Sequence, residues 1–286
     1  MKSILSVTNL CKQYPGFSLE NVNFCLKPGE IIGLIGRNGA GKTTTLKSLL
    51  NMTHPSSGEI LFFDKSFSQA EMEIKSRTGF VSGGVDFYMR KKLRVVSQAT
   101  RRFYPQWEDR VYRRYMERFE LDENKTPAQL SAGMRVKYNL VLALSHHAEL
   151  LILDEPTSGL DPFSREEVLD ILISLAQEGT GILFSTHITS DLERCADRIV
   201  YLRRGRVLAN DALDAFVQSY RLTRWPEETP PAQLLPHVIG LKQAKHGYTA
   251  LIKAADLPVF PASEPADLDS IMIHLEKETE DEKLAL

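Results

Sequence analysis

The chain is predicted to be an α/β protein: a parallel-sheet core, an antiparallel β part near the start, a helical insertion and a small C-terminal α+β appendage. Three observations carry this. The apolar run Ile31-Ile32-Gly33-Leu34-Ile35 leads into a glycine-rich loop and then a helix-forming stretch from Thr43 to Leu50, as a buried parallel strand feeding a helix would. Beyond Glu149, apolar strands alternate with helices, which builds a parallel sheet wrapped by helices. The chain has 286 residues, 43% hydrophobic and 25% charged, enough for one large domain and a small second one.

Taken in order, Ile4 to Val7, Phe17 to Leu26 and Glu59 to Phe63 alternate in polarity and read as antiparallel strands flanking the glycine-rich loop. Residues 88 to 145 are mostly helix-forming, with Val111, Tyr112, Tyr115, Met116 and Phe119 at the spacing of a buried helix face. Residues 90 to 118 also hold ten basic residues against three acids, either a solvated face or a docking surface for a partner. After this come the strand Leu150 to Leu153, the helix Arg165 to Gln177, the strand Gly181 to Ser185, the helix Asp191 to Ala196 and the strand Ile199 to Leu202. The first domain is expected to span residues 1 to 218 and an accessory domain residues 219 to 286. In the latter, Pro226, Pro230, Pro231 and Pro236 mark a non-helical linker, and His237 to Lys242 and Tyr248 to Ala254 form a hairpin around Lys245-His246-Gly247. Leu268, Ile271, Met272 and Leu275 then give an amphipathic helix that frays into the acidic stretch Glu276 to Lys283.

Composition excludes several classes. A formal net charge of −2 gives no overall attraction to nucleic acid, and none is expected as a partner. Cys11, Cys25 and Cys195 lack metal-ligand spacing and read as reduced thiols, so a cytoplasmic location is expected. No run of 18 apolar residues occurs, so work at a membrane must involve another chain.

The segment Gly36-Arg37-Asn38-Gly39-Ala40-Gly41-Lys42-Thr43-Thr44 has the spacing of a phosphate-cradling loop. Its glycines let backbone N–H groups curl round a phosphate, and the following helix adds the positive end of its dipole. Lys42 supplies a charge to the outer phosphates and the Thr43 hydroxyl a ligand for Mg²⁺. Gly36, Asn38, Gly39, Ala40, Gly41, Lys42, Thr43 and Thr44 are therefore the candidate nucleotide-binding residues. Four further motifs follow: Leu130-Ser131-Ala132-Gly133-Met134, Leu151-Ile152-Leu153-Asp154-Glu155, Ser158-Gly159-Leu160-Asp161, and His187 after an apolar strand.

In this order and spacing the set closely resembles the ATP-binding subunits of ABC transporters, over residues 1 to about 218. The resemblance implies the P-loop ATPase fold of that family and ATP with Mg²⁺ as cofactors. It implies that Asp154 holds Mg²⁺, Glu155 serves as general base, His187 contacts the γ-phosphate and Tyr14 stacks on adenine, with Phe17 its nearest competitor. It also implies that Ser131 and Gly133 meet the nucleotide of a second subunit, so that two chains, identical or related, close head to tail over two ATP molecules, and that Asp161 belongs to the nucleotide-binding residues. Separate transmembrane subunits would be the partners, with the chain peripheral on the inner face of the cell membrane. The segments Phe103 to Trp107 and Asp267 to Met272 are similar to those of a bacterial branch serving antibiotic- or peptide-type exporters.

Two departures stand out. The usual L-S-G-G-Q reads Leu-Ser-Ala-Gly-Met here, and Gly83 occupies the place of a customary Gln, with Asp86 expected to substitute in part. The alternatives are a soluble ATPase of this type acting on nucleic acid or ribosomes, and an ATP-dependent switch with little turnover. Against the first, the chain has neither two ATPase units nor a long coiled-coil insertion.

Overall fold

The computed structural model describes residues 2–82, 88–226, 230–260 and 262–284; Gly83 and Asp86 lie outside them. The chain divides into two compact units, Met1–Asn210 and Asp211–Leu286.

The first unit opens with β1 (Leu5–Tyr14), β2 (Phe17–Leu26), β3 (Ile31–Ile35), α1 (Lys42–Leu49) and β4 (Ser57–Phe62). It continues with α2 (Phe67–Arg77), β5 (Thr78–Ser82), α3 (Leu93–Arg101), α4 (Asp109–Arg118) and α5 (Ala132–Ser145). It closes with β6 (Leu150–Asp154), α6 (Pro162–Gln177), β7 (Gly181–Thr186), α7 (Thr189–Cys195), β8 (Arg198–Arg203) and β9 (Arg206–Ala212), within which the chain passes to the second unit. Strands β2, β1 and β4 form the expected antiparallel sheet. The other sheet runs β5-β6-β7-β3-β8-β9, its β5, β6, β7, β3 and β8 parallel. Every residue of β3 and β7 is buried, which is why these strands read as unbroken apolar runs rather than alternating ones.

The order of the parallel sheet decides what its edge can hold. Asp154 is level with Ser185, and Ile35 with Thr186. The residues that follow β6, β7 and β3 therefore emerge side by side at one edge, where parallel strands deliver their ligand-binding loops.

The helical part is fastened by buried polar groups. On the core stripe, Tyr112, Tyr115, Met116 and Phe119 are buried. Ser97 of α3 donates to Tyr112 of α4 (2.9 Å), shares a 2.7 Å bond with Tyr138 of α5, and the Tyr138 hydroxyl donates to the Leu93 carbonyl (2.9 Å). Burial raises both tyrosine pKa values, so these hydroxyls stay neutral bonding groups. A second fastening converges on the Ser76 carbonyl, which accepts from Gln106 Nε2 at 2.6 Å and from His146 Nδ1 at 2.9 Å. The His146 ring stacks on Tyr104 at 3.8 Å, and burial pushes its pKa down to about 4.

The second unit holds α8 (Leu213–Gln218), β10 (Tyr220–Trp225), β11 (Ile239–Gln243), β12 (Tyr248–Lys253), β13 (Glu264–Pro265) and α9 (Leu268–Leu284). Its sheet order is β11-β12-β10-β13, and α9 packs on β11 and β12 through buried Leu268, Ile271 and Leu275. The hairpin and the amphipathic helix are those the pattern predicts, except that α9 does not fray at the acidic stretch. It runs through Glu276 to Lys283 and ends at Leu284, a stretch rich in the good helix formers Glu and Lys. Strand β10 is not among the strands that alternation marks. Its neighbours Leu222 and Thr223 are both buried, so no period of two appears. His274 ties the layers together: it is buried, and Nδ1 lies 2.6 Å from the Gly240 carbonyl.

Candidate nucleotide site

The loop between β3 and α1 is shaped by the glycines that sequence reasoning singled out. Gly36 has φ +152°, and a Cβ there would stand 2.3 Å from the Leu202 carbonyl oxygen; Gly41 has φ +115° and would strike Leu19 at 2.9 Å. Neither position admits another side chain without rebuilding. The turn between β8 and β9 supports the loop from below, with the Gly205 N–H donating to the Ala40 carbonyl at 2.9 Å.

Lys42 is the first helical residue, and its side chain is only 7% exposed. Its ammonium donates to the carbonyls of Gly36 (2.6 Å) and Arg37 (3.5 Å) and lies 3.9 Å from Glu155 Oε1. Burial lowers its pKa, while the charges of Glu155 and Asp154 act the other way. A buried cation held by carbonyl dipoles and by one carboxylate at arm's length suits a polyanionic ligand, so the residues present fit a nucleoside triphosphate. Thr43 beside it is exposed.

At the end of β6, Ser185 of β7 organises both acids. Its hydroxyl donates to Asp154 Oδ1 at 2.6 Å, and the Glu155 N–H meets the Ser185 carbonyl at 3.0 Å and the same hydroxyl at 3.2 Å. Glu155 takes a left-handed backbone conformation, φ +50°, uncommon for a non-glycine residue. That conformation turns its carboxylate toward two partners at once, with His187 Nδ1 2.8 Å from Oε2 and Lys42 on the other oxygen. Lys42, Asp154, Glu155 and His187 thus form one connected group.

Ser131, Gly133 and Asp161 form another. Ser131 caps α5 by accepting from the Met134 N–H at 3.2 Å, and Asp161 caps α6 by accepting from the Ser164 N–H at 3.0 Å. Hydrogen bonds from Ser164 hold the Asp161 carboxyl below its ordinary pKa. A Cβ on Gly133 would stand 2.8 Å from Ser164 Cβ, so glycine is what lets the start of α5 meet the start of α6. No hydrogen bond or ion pair found among the described residues joins this group to the first. Tyr14 is 42% exposed and shares a 3.2 Å hydrogen bond with Thr53, whereas Phe17 abuts the loop, 3.2 Å from where a Gly41 Cβ would be.

Three residues that sequence reasoning did not single out, Thr157, Arg165 and Asp191, brace the site from behind. Asp191 of α7 is fully buried, accepts from Thr157 Oγ1 at 2.5 Å and pairs with Arg165 of α6. Arg165 also donates to Ser190 at 2.6 Å. The loop leaving Glu155 and the segment leaving His187 are therefore tied to a common post. A cavity of about 570 Å³ in the same unit is unrelated to this chemistry. It lies at the opposite, N-terminal ends of β6 and β7, lined among others by Arg110, His147, Glu149 and Thr180.

A parallel sheet carrying a phosphate loop, a strand-end Asp-Glu pair and a strand-end His on adjacent strands defines a P-loop ATPase cassette. Residues 19–158 match the family described as ABC transporter. The chain is 34% identical over 218 residues to the bacitracin transport ATP-binding protein BcrA of Bacillus licheniformis, covering 75% of this chain and 71% of that one. It is 36% identical over 226 residues to the Nod factor export ATP-binding protein I of Burkholderia orbicola, covering 74% and 71%. Its fold is similar to a solved ATP-binding subunit of an ABC transporter, with TM-score 0.68 and 30% identity over 74% of this chain and 91% of that one. The chain belongs to the ATP-binding proteins of ABC transporters, and it binds and hydrolyses ATP as the power-supplying subunit of a transporter.

Proposed function

We propose that this chain drives an exporter from the inner face of the membrane, docked on separate transmembrane subunits, and that Glu155 is the base of its ATPase reaction. The names of its relatives, a bacitracin transport protein and a Nod factor export protein, support the exporter reading. Among the described residues no helix is long and apolar enough to cross a membrane, so contact with the bilayer's interior falls to the partners.

The observation that carries the catalytic reading is the Glu155 carboxylate held between Lys42 and His187. When bound, Mg·ATP supplies the phosphoanhydride to be split and a metal that neutralises charge on its outer phosphates. Among the described residues no three His, Cys, Asp or Glu side chains cluster as a self-sufficient metal site. That suits Mg²⁺, which takes one or two protein oxygens and completes its shell with phosphate and water; the Asp154 carboxylate and Thr43 hydroxyl are those oxygens. Lys42 holds the phosphates, with Gly36, Asn38, Gly39, Ala40, Gly41 and Thr44 around them. Glu155 accepts a proton from the attacking water, and His187 fixes the carboxylate's orientation and reaches the phosphate. Ser131, Gly133 and Asp161 act on the nucleotide of a second subunit, closing two chains head to tail. Tyr14 stacks on the base, and the C-terminal unit is an accessory domain.

Glu155→Gln tests this. The variant keeps the shape and removes the proton acceptor, so it should bind ATP, accumulate as an ATP-bound dimer on size exclusion and lose nearly all turnover. Turnover at the rate of the unaltered chain would refute the assignment.

A further inference from the structure

The basic run left open by the sequence occupies a defined surface. On α3 and its C-terminal cap the exposed residues include Arg94, Gln98, Arg101 and Arg102, opposite buried Leu93 and Ser97. On α4 they are Arg110, Arg113, Arg114, Glu117 and Arg118, opposite buried Tyr112, Tyr115 and Met116. Both sets follow helical spacing, so each helix presents one arginine stripe. The stripes meet at a cavity of about 210 Å³ at the α3–α4 seam, lined by Arg94, Arg101 and Arg113 together with Asp109 and Glu123. Among the described residues Arg101 pairs with Asp109 at 2.8 Å, while Arg94, Arg102, Arg110, Arg113, Arg114 and Arg118 carry no ion pair. Apolar side chains stand out among these cations, with Phe103 72% and Val95 45% exposed.

Seven arginines on this face stand against three acids, Asp109, Glu117 and Glu123 at the seam, which is not how a solvated surface is usually balanced; both signs are normally interspersed in similar number. The chain as a whole carries a formal charge of −2, so the excess is local. We infer that the α3–α4 face is a contact surface for anionic phospholipid headgroups: the arginines engage lipid phosphates and Phe103 enters the headgroup layer. An apolar side chain set among cations is the composition of interfacial anchors. Arginine's planar fork suits phosphate oxygens, and a chain that works in a transporter lies beside a bilayer. An acidic protein segment would need the cations but would leave Phe103 without a role, and single-stranded RNA, whose bases can stack on Phe103, is separated from lipid by the competition arm of the test.

The test uses the full chain and vesicles, with no membrane subunit present, so its failure is separable from failure of the exporter reading. Co-sedimentation is measured with phosphatidylcholine vesicles and with the same vesicles containing phosphatidylglycerol. The expected result is binding to the anionic vesicles only, weakened by salt. Each arginine near such a surface is worth about fivefold in partitioning, so Arg110→Gln, Arg113→Gln and Arg114→Gln together should weaken binding on the order of a hundredfold. Phe103→Ser should weaken it with the salt dependence unchanged, and both variants should keep the ATPase rate because neither touches the nucleotide site. Equal binding of the triple variant, no binding to anionic vesicles, Phe103→Ser without effect on vesicle binding, or displacement from the vesicles by polyuridylate RNA at equal charge together with weaker polyuridylate binding by Phe103→Ser, would overturn the inference.

Discussion

Ser185→Ala isolates the device that sets the geometry of both acids. Ser185 is fully buried. Removing Oγ deletes the 2.6 Å bond it donates to Asp154 Oδ1 and the 3.2 Å contact with the Glu155 N–H, which keeps its 3.0 Å bond to the Ser185 carbonyl. A hydrogen bond to a charged acceptor contributes about 1.5–3 kcal/mol. The second contact is long and redundant, so a loss of about 2 kcal/mol in urea unfolding at neutral pH is expected. Asp154 then loses the bond that fixes its rotamer, and Glu155, already at φ +50°, loses part of its anchor. If half to all of that free energy is also missing from the transition state, kcat falls about 5- to 30-fold. The KM for ATP should hold within about twofold, because no hydrogen bond found among the described residues joins Lys42 or the loop to Ser185. Phosphate release with Mg·ATP measures the first and its saturation curve the second. A stability loss of the expected size with kcat unchanged would show that the bond supports the fold and positions nothing.

Other expectations follow from the same contacts. Gly133→Ala places a methyl 2.8 Å from Ser164 Cβ; overpacking of about 1–3 kcal/mol exceeds the roughly 1 kcal/mol that alanine returns to a helix. In a Glu155→Gln background the added methyl should suppress the ATP-dependent dimer on size exclusion. Asp191→Ala removes a fully buried partner of Arg165 and Thr157 and should cost about 3 kcal/mol in urea unfolding, with Asp191→Asn costing less because its amide oxygen still accepts from Thr157. His146, with its pKa pushed down to about 4 by burial, binds its proton more readily unfolded, at about 6.5. Stability is therefore unaffected by this group above pH 6.5, falls as pH drops from 6.5 to 4 by roughly 3 kcal/mol, and levels below. His146→Phe should flatten that part of the pH–stability profile, and an unchanged profile would refute the assignment.

Much of this was legible in the sequence because it was written in local patterns. The phosphate loop declares itself through Gly36, Gly41 and Lys42 at fixed spacing, since each glycine answers a backbone demand of the loop itself. The buried strands declare themselves as apolar runs, and α9 through Leu268, Ile271 and Leu275 at helical spacing. What stayed hidden depends on the neighbour a residue acquires. Ser185 lies inside an expected strand, but its role exists only because β7 sits beside β6 in register, Asp154 opposite Ser185. Asp191 is one carboxylate among many until α6 and α7 bring Arg165 and Thr157 to it.

The same distinction explains where the site's two halves differ. Lys42 opens the helix after β3, Asp154 ends β6, and Glu155 and His187 directly follow β6 and β7; the three strands are adjacent in one sheet, so the fold of a single chain assembles them. Ser131, Gly133 and Asp161 come from the starts of α5 and α6, whose own capping needs they already meet: the Ser131 hydroxyl accepts from Met134 N–H and the Asp161 carboxylate from Ser164 N–H. Within one chain these residues are accounted for by helix capping and by the close approach of Gly133 to Ser164. A nucleotide role for them therefore depends on a second chain, whereas the role proposed for the Lys42–Glu155–His187 group needs only residues that one chain brings together. Ser185→Ala and Gly133→Ala consequently test different things: the first should slow hydrolysis in a dimer that still forms, and the second should leave the Lys42–Glu155 group intact while closure fails. If Gly133→Ala instead slowed turnover with dimer formation undisturbed, the division between an intrachain catalytic half and an interchain closing half would be wrong.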